Sequence, residues 1–194
     1  LGVSPIAQKV LKKCGWLEAK GPKQYQKIIH PTSIKGFLFF LVGKIYQFSK
    51  IKMYTKTLSR SATSFHINEE LPHLKEFRGF FPVSSSEGIL KIARSYDYLK
   101  WRYSGADKPY KYLSVKVNSA VSALVIYKTL NNKIDMVDFV YSKGCEYLLT
   151  LSFDYLEKYY YANMIDCLIS EAFFDEILKS NGFIKKRYAP SFLY

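Results

Sequence analysis

The chain has 194 residues, 48% of them hydrophobic and 17% aromatic, enough for one full domain plus an appendage, which excludes collagenous, low-complexity and wholly disordered classes. Lys and Arg number 29 against 16 Asp and Glu, and the excess is uneven: residues 1–60 hold twelve basic residues and a single acid, Glu18, whereas 61–194 are close to balanced. Cys14, Cys145 and Cys167 are odd in number and far apart, without CxxC or Cys/His spacing, which suggests neither a disulfide framework nor a zinc site and fits a reducing, cytoplasmic compartment.

Leu1 stands where an initiator Met is expected, and no charged, apolar and small-residue series marks a secretory signal, so the chain reads as part of a longer protein. Ser4-Pro5 is a helix start, and Ile6, Ala7, Val10, Leu11 and Cys14 recur at helical spacing until Gly15. Trp16 begins a short strand. The basic segment from Gly21 to Pro31, bounded by turn formers, is expected to be a strand end and a solvated connection. From Thr32 to about Lys56, Ile34, Phe37, Leu38, Leu41, Ile45 and Phe48 repeat as on an amphipathic helix ringed by Lys35, Lys44, Lys50 and Lys52. Its apolar run falls far short of the ~20 residues that span a bilayer. Thr55–Thr63 is the linker candidate, which places a domain border near residue 60: a basic lead-in over 1–60 and a second domain over 61–194.

Beyond the border, Asn68–Phe77 is expected as a short helix interrupted by Pro72. Ser84–Gly88 reads as a turn, Ile89–Ala93 as a strand, and Asp97 as the N-cap of a helix carrying Leu99, Trp101 and Tyr103. Tyr110–Val117 and Ala120–Tyr127 are strands joined at Asn118-Ser119, and the continuous Leu124, Val125 and Ile126 suit a strand covered on both faces. Asn131-Asn132 turns into the strand Ile134–Val140, which carries Asp135 and Asp138. The helix Gly144–Tyr161, strand Asn163–Ile169, helix Glu171–Ser180 capped by Asn181-Gly182, and strand Phe183–Tyr188 complete the chain. This order defines an α/β fold, a mixed sheet flanked by helices.

Tyr98-Leu99-Lys100-Trp101-Arg102-Tyr103 with Pro109 and Tyr112, Val137-Asp138-Phe139, and Asn181-Gly182-Phe183 resemble motifs of bacterial GNAT-like (N-acetyltransferase-like) proteins, some linked to polysaccharide biosynthesis. Ser4-Pro5-Ile6-Ala7 through Lys13-Cys14-Gly15-Trp16 is similar to the closing helix and strand of a preceding domain of the same kind. The resemblance implies tandem domains, of which this chain holds the tail of the first, a basic helical connector and the second. It also implies a fourth and fifth strand that part to leave a groove, with acetyl-CoA or another acyl-CoA as co-substrate and an amine, such as an amino sugar or peptide, as acceptor.

The family's Q/R-x-x-G-x-G/A loop offers backbone N–H groups at a helix start to the pyrophosphate. Here that stretch is Tyr141-Ser142-Lys143-Gly144-Cys145-Glu146. Ser142, Lys143 and Gly144 are either a degenerate phosphate loop or an ordinary strand-to-helix turn, and Glu146 repels phosphate. Leu178 stands where many members carry a Tyr that protonates the departing thiolate, and no catalytic residue is assigned. Arg102 offers a planar fork for a carboxylate or phosphate, with Trp101 and Tyr103 as a substrate wall. Alternatively, Trp101 is core and Arg102 pairs with Asp138. Asp138 needs a partner if buried, or is a general base. His30, His66 and His73 are scattered, and no metal or Ser/His/Asp constellation appears.

Two functions compete: an N-acyltransferase whose complete acyl-CoA loop lies in the missing N-terminal domain, and a catalytically inactive GNAT-like binding module. For helix 32–56, the apolar face either packs between the domains with its lysines in water, or lies on an anionic membrane surface. Nucleic acid is disfavoured, since the basic segment is Lys-rich rather than Arg-rich and has no aromatic platform or helix-turn-helix pattern.

Overall fold

The computed structural model of the chain describes residues 10, 13, 18–19, 23–50, 63–77, 95–105, 107–142, 144–169, 174–186 and 192–193. Among these the elements run β1 (Glu18–Ala19), β2 (Lys23–Ile28), α1 (Ile34–Lys50), β3 (Thr63–Asn68), a 3-10 turn (Leu74–Glu76), α2 (Tyr96–Tyr103), β4 (Lys111–Val117) and β5 (Ala120–Leu130). They continue with β6 (Lys133–Tyr141), α3 (Leu148–Tyr160), β7 (Met164–Ile169), α4 (Phe174–Ser180), β8 (Ile184–Lys185) and β9 (Phe192–Leu193). Seven strands form one mixed sheet in the order β3-β4-β5-β6-β7-β2-β8, while β1 and β9 pair separately. Only β6 and β7 run parallel; the other neighbours are antiparallel.

The β4–β5 and β5–β6 hairpins are closed by two-residue turns whose central residues all take left-handed φ: Asn118 at 51° and Ser119 at 68°, Asn131 at 50° and Asn132 at 57°. This matches the type I′ geometry that lets strand twist continue through the turn. Asn accepts the conformation through local hydrogen bonding. The sheet is covered on both faces. Val125, Tyr127, Ile134 and Met136 pack with α3 and α4 through Phe153, Leu156, Ile177 and Leu178. Leu124, Ile126 and Val140 pack on the other face with Leu99 and Tyr103 of α2. The expected two-faced burial of Leu124–Ile126 is therefore present, and the mixed α/β class stands.

Three readings of local structure change. Residues 21–31 are not a solvated connection: Lys23–Ile28 is an internal strand whose Tyr25 and Lys27 are buried. Lys27 is neutralised by Glu157, and Asp175 takes hydrogen bonds from Lys23 and from the Tyr25 hydroxyl. Polar side chains enter the sheet here because acids more than 100 residues away meet them. Thr63–Asn68 is a strand that takes in Thr63, the last residue of the expected linker, and Asn68, the first of the expected helix. Its Phe65 and Ile67 pack on the core, and Asn68 donates to the Ser114 hydroxyl at 2.9 Å. Residues 68–77 yield only the 3-10 turn, and the cap of α2 is Ser95, whose Oγ accepts from the Tyr98 N–H at 3.2 Å, leaving Asp97 in the first turn.

Val10 and Lys13 are helical, as expected for 4–14; the remainder of that helix, the border over 51–62 and the strand expected at 89–93 lie outside the described residues.

Candidate functional site

Parallel pairing of β6 with β7 covers four positions, from Lys133↔Met164 to Met136↔Cys167. Beyond Met136 the pairing stops. At the same point the β5–β6 register shifts: Tyr127 faces Met136 but Ile126 faces Asp138, so Val137 is an extra residue on β6. A bulge of this kind bends its strand and reverses the facing of every residue after it. Without it Asp138 would share the face of Ile134 and Met136. With it, Asp138 faces α2.

There the carboxylate, 9% exposed, accepts a 2.9 Å hydrogen bond from the Tyr103 hydroxyl through Oδ2 and one from the Phe139 N–H through Oδ1. Arg102 Nε donates in turn to the Tyr103 oxygen at 3.1 Å. Arg102 thus reaches Asp138 through a phenol rather than by a direct ion pair. Burial, with the Asp138 charge behind it, pushes the Tyr103 phenol well above its ordinary value, so it remains a neutral donor. The Tyr103 hydrogen bond holds the Arg102 guanidinium above its usual value against the opposing effect of burial.

Helix α2 makes this arrangement possible by its short, closed form. Lys108 Nζ donates to the Trp101 and Arg102 carbonyls at 2.6 and 2.7 Å, satisfying the helix end. Tyr112 donates to the Tyr103 carbonyl at 2.9 Å. Trp101 is 72% exposed and is not core; its ring lies 6.0 Å from that of Tyr98, over which the Arg102 guanidinium also sits at 6.0 Å. Arg102 is an exposed residue whose terminal amino groups have no hydrogen-bond partner among the described residues. The result is a guanidinium fork fixed at its inner nitrogen and open at its outer two, beside an exposed indole. Such a fork takes a carboxylate or phosphate in a bidentate manner.

The strand-to-helix loop follows four residues further along β6, roughly 13 Å at the usual strand rise. Ser142 N–H is bonded to the Ser122 carbonyl, Cys145 N–H to the Ser142 carbonyl, and Leu148, Leu149 and Thr150 N–H groups to carbonyls three residues back. Gly144, at φ +82°, sends its N–H to the Glu146 carboxylate at 3.3 Å. Lys143 lies outside the described residues. The amides of Ser142, Gly144 and Cys145 are therefore engaged by the chain itself, and with the Glu146 carboxylate on the Gly144 amide the described part of this loop does not fit acyl-CoA. Leu178 is fully buried in the core under the sheet. Phe174 at the start of α4 meets Phe139 and Tyr141 edge-on, with centroids 6.0 and 5.6 Å away.

Sequence reasoning named Arg102, Tyr103 and Asp138 but not the Val137 bulge that brings Asp138 to them. The helical spacing of Trp101 and the apolar setting of Asp138 were visible; the register shift leaves no mark in composition. A basic cavity of about 760 Å³ between α1 and the β2–β8 edge, with Gln24, Gln26, Lys35, Lys185 and Lys186 among its lining residues, was not foreseen. Among the described residues no group of three or more His, Cys, Asp or Glu is placed to hold a metal.

This is a mixed α/β protein in which β6 bulges against β5 where its pairing with β7 ends. No protein-family model and no curated protein matches the sequence. Among solved structures, it is similar to a functionally unknown conserved protein from Staphylococcus epidermidis ATCC 12228, with a TM-score of 0.56 at 9% identity over 96% of this chain. The chain covers 65% of that structure's length. L-PGS from Bacillus licheniformis is matched with a TM-score of 0.42 at 12% identity, over 85% of this chain and 50% of that one. At 9% identity the first similarity concerns the fold alone.

Proposed function

We propose that the chain is a GNAT-like unit of an N-acyltransferase that moves an acyl group from acyl-CoA to an amine acceptor such as an amino sugar or peptide, and that these residues form the acceptor side. The observation that carries the reading is the coincidence, on β6, of the bulge, the loss of β7 pairing and the Asp138–Tyr103–Arg102 chain. An opened strand edge next to an oriented guanidinium is a setting in which an acceptor bearing an anionic group is held by its acid while its amine stays free. The reaction forms an amide C–N bond, breaks the thioester C–S bond and releases the amine proton. The described loop does not fit the pyrophosphate, so the acyl-CoA loop is assigned to a companion unit.

A second reading, an inactive GNAT-like binding module, is favoured by Glu146 on the Gly144 amide and by Leu178 in the core. Calorimetry separates these. Acetyl-CoA titrated into the chain is expected to give weak or no heat, whereas an amino-sugar phosphate or an acidic dipeptide binds in an Arg102-dependent manner, lost in Arg102→Ala. Sub-micromolar binding of acetyl-CoA overturns the acceptor-side assignment. Acceptor binding without any amide product by mass spectrometry, in the full-length protein supplied with acetyl-CoA, favours the binding module.

A further inference from the structure

The 17 residues of α1 touch the rest of the molecule along a narrow, small-residue seam. Gly43 is the one buried position among residues 34–45, and a Cβ there would come within 2.5 Å of the Gly182 carbonyl oxygen. Gly36 and Phe40, half-buried, flank it on the same side. At roughly 100° per residue, the opposite side presents Ile34, Leu38, Leu41 and Ile45, with Phe37 and Val42 beside them. All six are exposed, Ile34 at 86%, Ile45 at 67% and Leu38 at 58%. Lys35 and Lys44, nine residues apart, fall on opposite borders of that face. The apolar side of the helix therefore points away from the sheet of this chain.

We infer that α1 is a membrane-surface helix, which lies in the interface of an anionic bilayer with this face down. Three features select that occupant. The helix is too short and not apolar enough to span, but it has the apolar sector and flanking lysines of an in-plane helix, whose ammonium groups reach the headgroups as the apolar residues sink. The sequence carries no Asp or Glu between Glu18 and Glu69, so nothing there repels lipid phosphate. Lys185, exposed, lines the cavity that Lys35 and Phe39 close from α1, which adds a cation along one border of the face. A second copy of this chain is disfavoured as the occupant by its own +13 charge. The inference does not depend on acyl transfer, and a failed acetyl-CoA or acceptor titration leaves it intact.

Co-sedimentation of the chain with vesicles tests it. Binding is expected to phosphatidylglycerol-containing vesicles, weakening with added salt, and not to pure phosphatidylcholine. Leu38→Glu/Ile45→Glu is expected to lower partitioning by roughly tenfold or more, since two apolar anchors are lost, with circular dichroism and gel filtration unchanged. Phe37→Trp gives an independent reading: its emission shifts to the blue on adding the anionic vesicles. Supernatant protein with both vesicle types, undiminished binding by the double variant, or an unshifted emission overturns the inference. So does a dimer that Leu38→Glu/Ile45→Glu dissolves while vesicles capture nothing. Equal binding to phosphatidylcholine overturns the anionic assignment.

Discussion

The two halves of the sheet are held by different means. From β3 to β6 the strands run antiparallel, β4, β5 and β6 turn through two-residue hairpins, and apolar side chains are buried on both faces. From β7 through β2 to β8, neighbours come from opposite ends of the chain, and β2 is fastened by polar contacts: Lys27 to Glu157, and both Lys23 and the Tyr25 hydroxyl to Asp175. Lys133 and Lys186 both approach Asp166 on β7, at 3.0 and 3.7 Å. The first half follows from local pattern and the second from long-range charge pairing.

Substitutions break the comparison at different places. Phe153→Ala, in the fully buried layer under the first half, is expected to cost about 3–5 kcal/mol in urea unfolding. Lys27→Ala leaves Glu157 without its buried partner and is expected to cost about 3 kcal/mol, yet Lys27→Met/Glu157→Leu restores most of it, because an apolar pair of similar volume replaces a buried ion pair at little cost. The same logic has no counterpart at Phe153. If the double variant unfolds as readily as Lys27→Ala, the polar fastening is misassigned.

Asp175 sharpens the contrast with pH. Burial alone would raise its carboxyl, but the hydrogen bonds from Lys23 and Tyr25 outweigh it and hold the group below the ordinary carboxylate range. The folded state therefore binds its proton later than the unfolded chain, so the stabilisation is present at neutral pH and drains away as pH falls through the folded value, below about 4. Asp175→Asn is expected to cost about 1–3 kcal/mol at pH 7, with the gap to wild type closing in acid; a constant gap contradicts the assignment. The smallest effect is expected at Gly144→Ala, about 1 kcal/mol, from strain at a positive φ with open space around the new methyl.

How much of this the sequence disclosed follows the same division. Asn118-Ser119 and Asn131-Asn132 announce their turns, and the unbroken Leu124-Val125-Ile126 announces a strand with two covered faces. Nothing local identifies Lys23–Ile28 as an internal strand, since its polar residues become tolerable only through Glu157 and Asp175. Thr63–Asn68 has just Phe65 and Ile67 to mark it. At the candidate site the residue types were legible in Trp101, Arg102, Tyr103 and Asp138. Their relation was not, because one additional residue at Val137 decides which face of the sheet Asp138 joins. The loop at Ser142 and Gly144 looked weak for phosphate, and the Glu146 carboxylate gives that weakness an atomic cause.

The place of β2 also bears on how the molecule is made. A strand that leaves the ribosome early has its neighbours at Met164–Ile169 and Ile184–Lys185, so its amides stay unclaimed while well over a hundred further residues are translated. The β4–β5–β6 meander closes from adjacent segments and is expected to form first, with insertion of β2 between β7 and β8 coming last. Nascent chains halted before residue 164 are thus expected to hold the meander while leaving Tyr25 open to solvent and to chaperones.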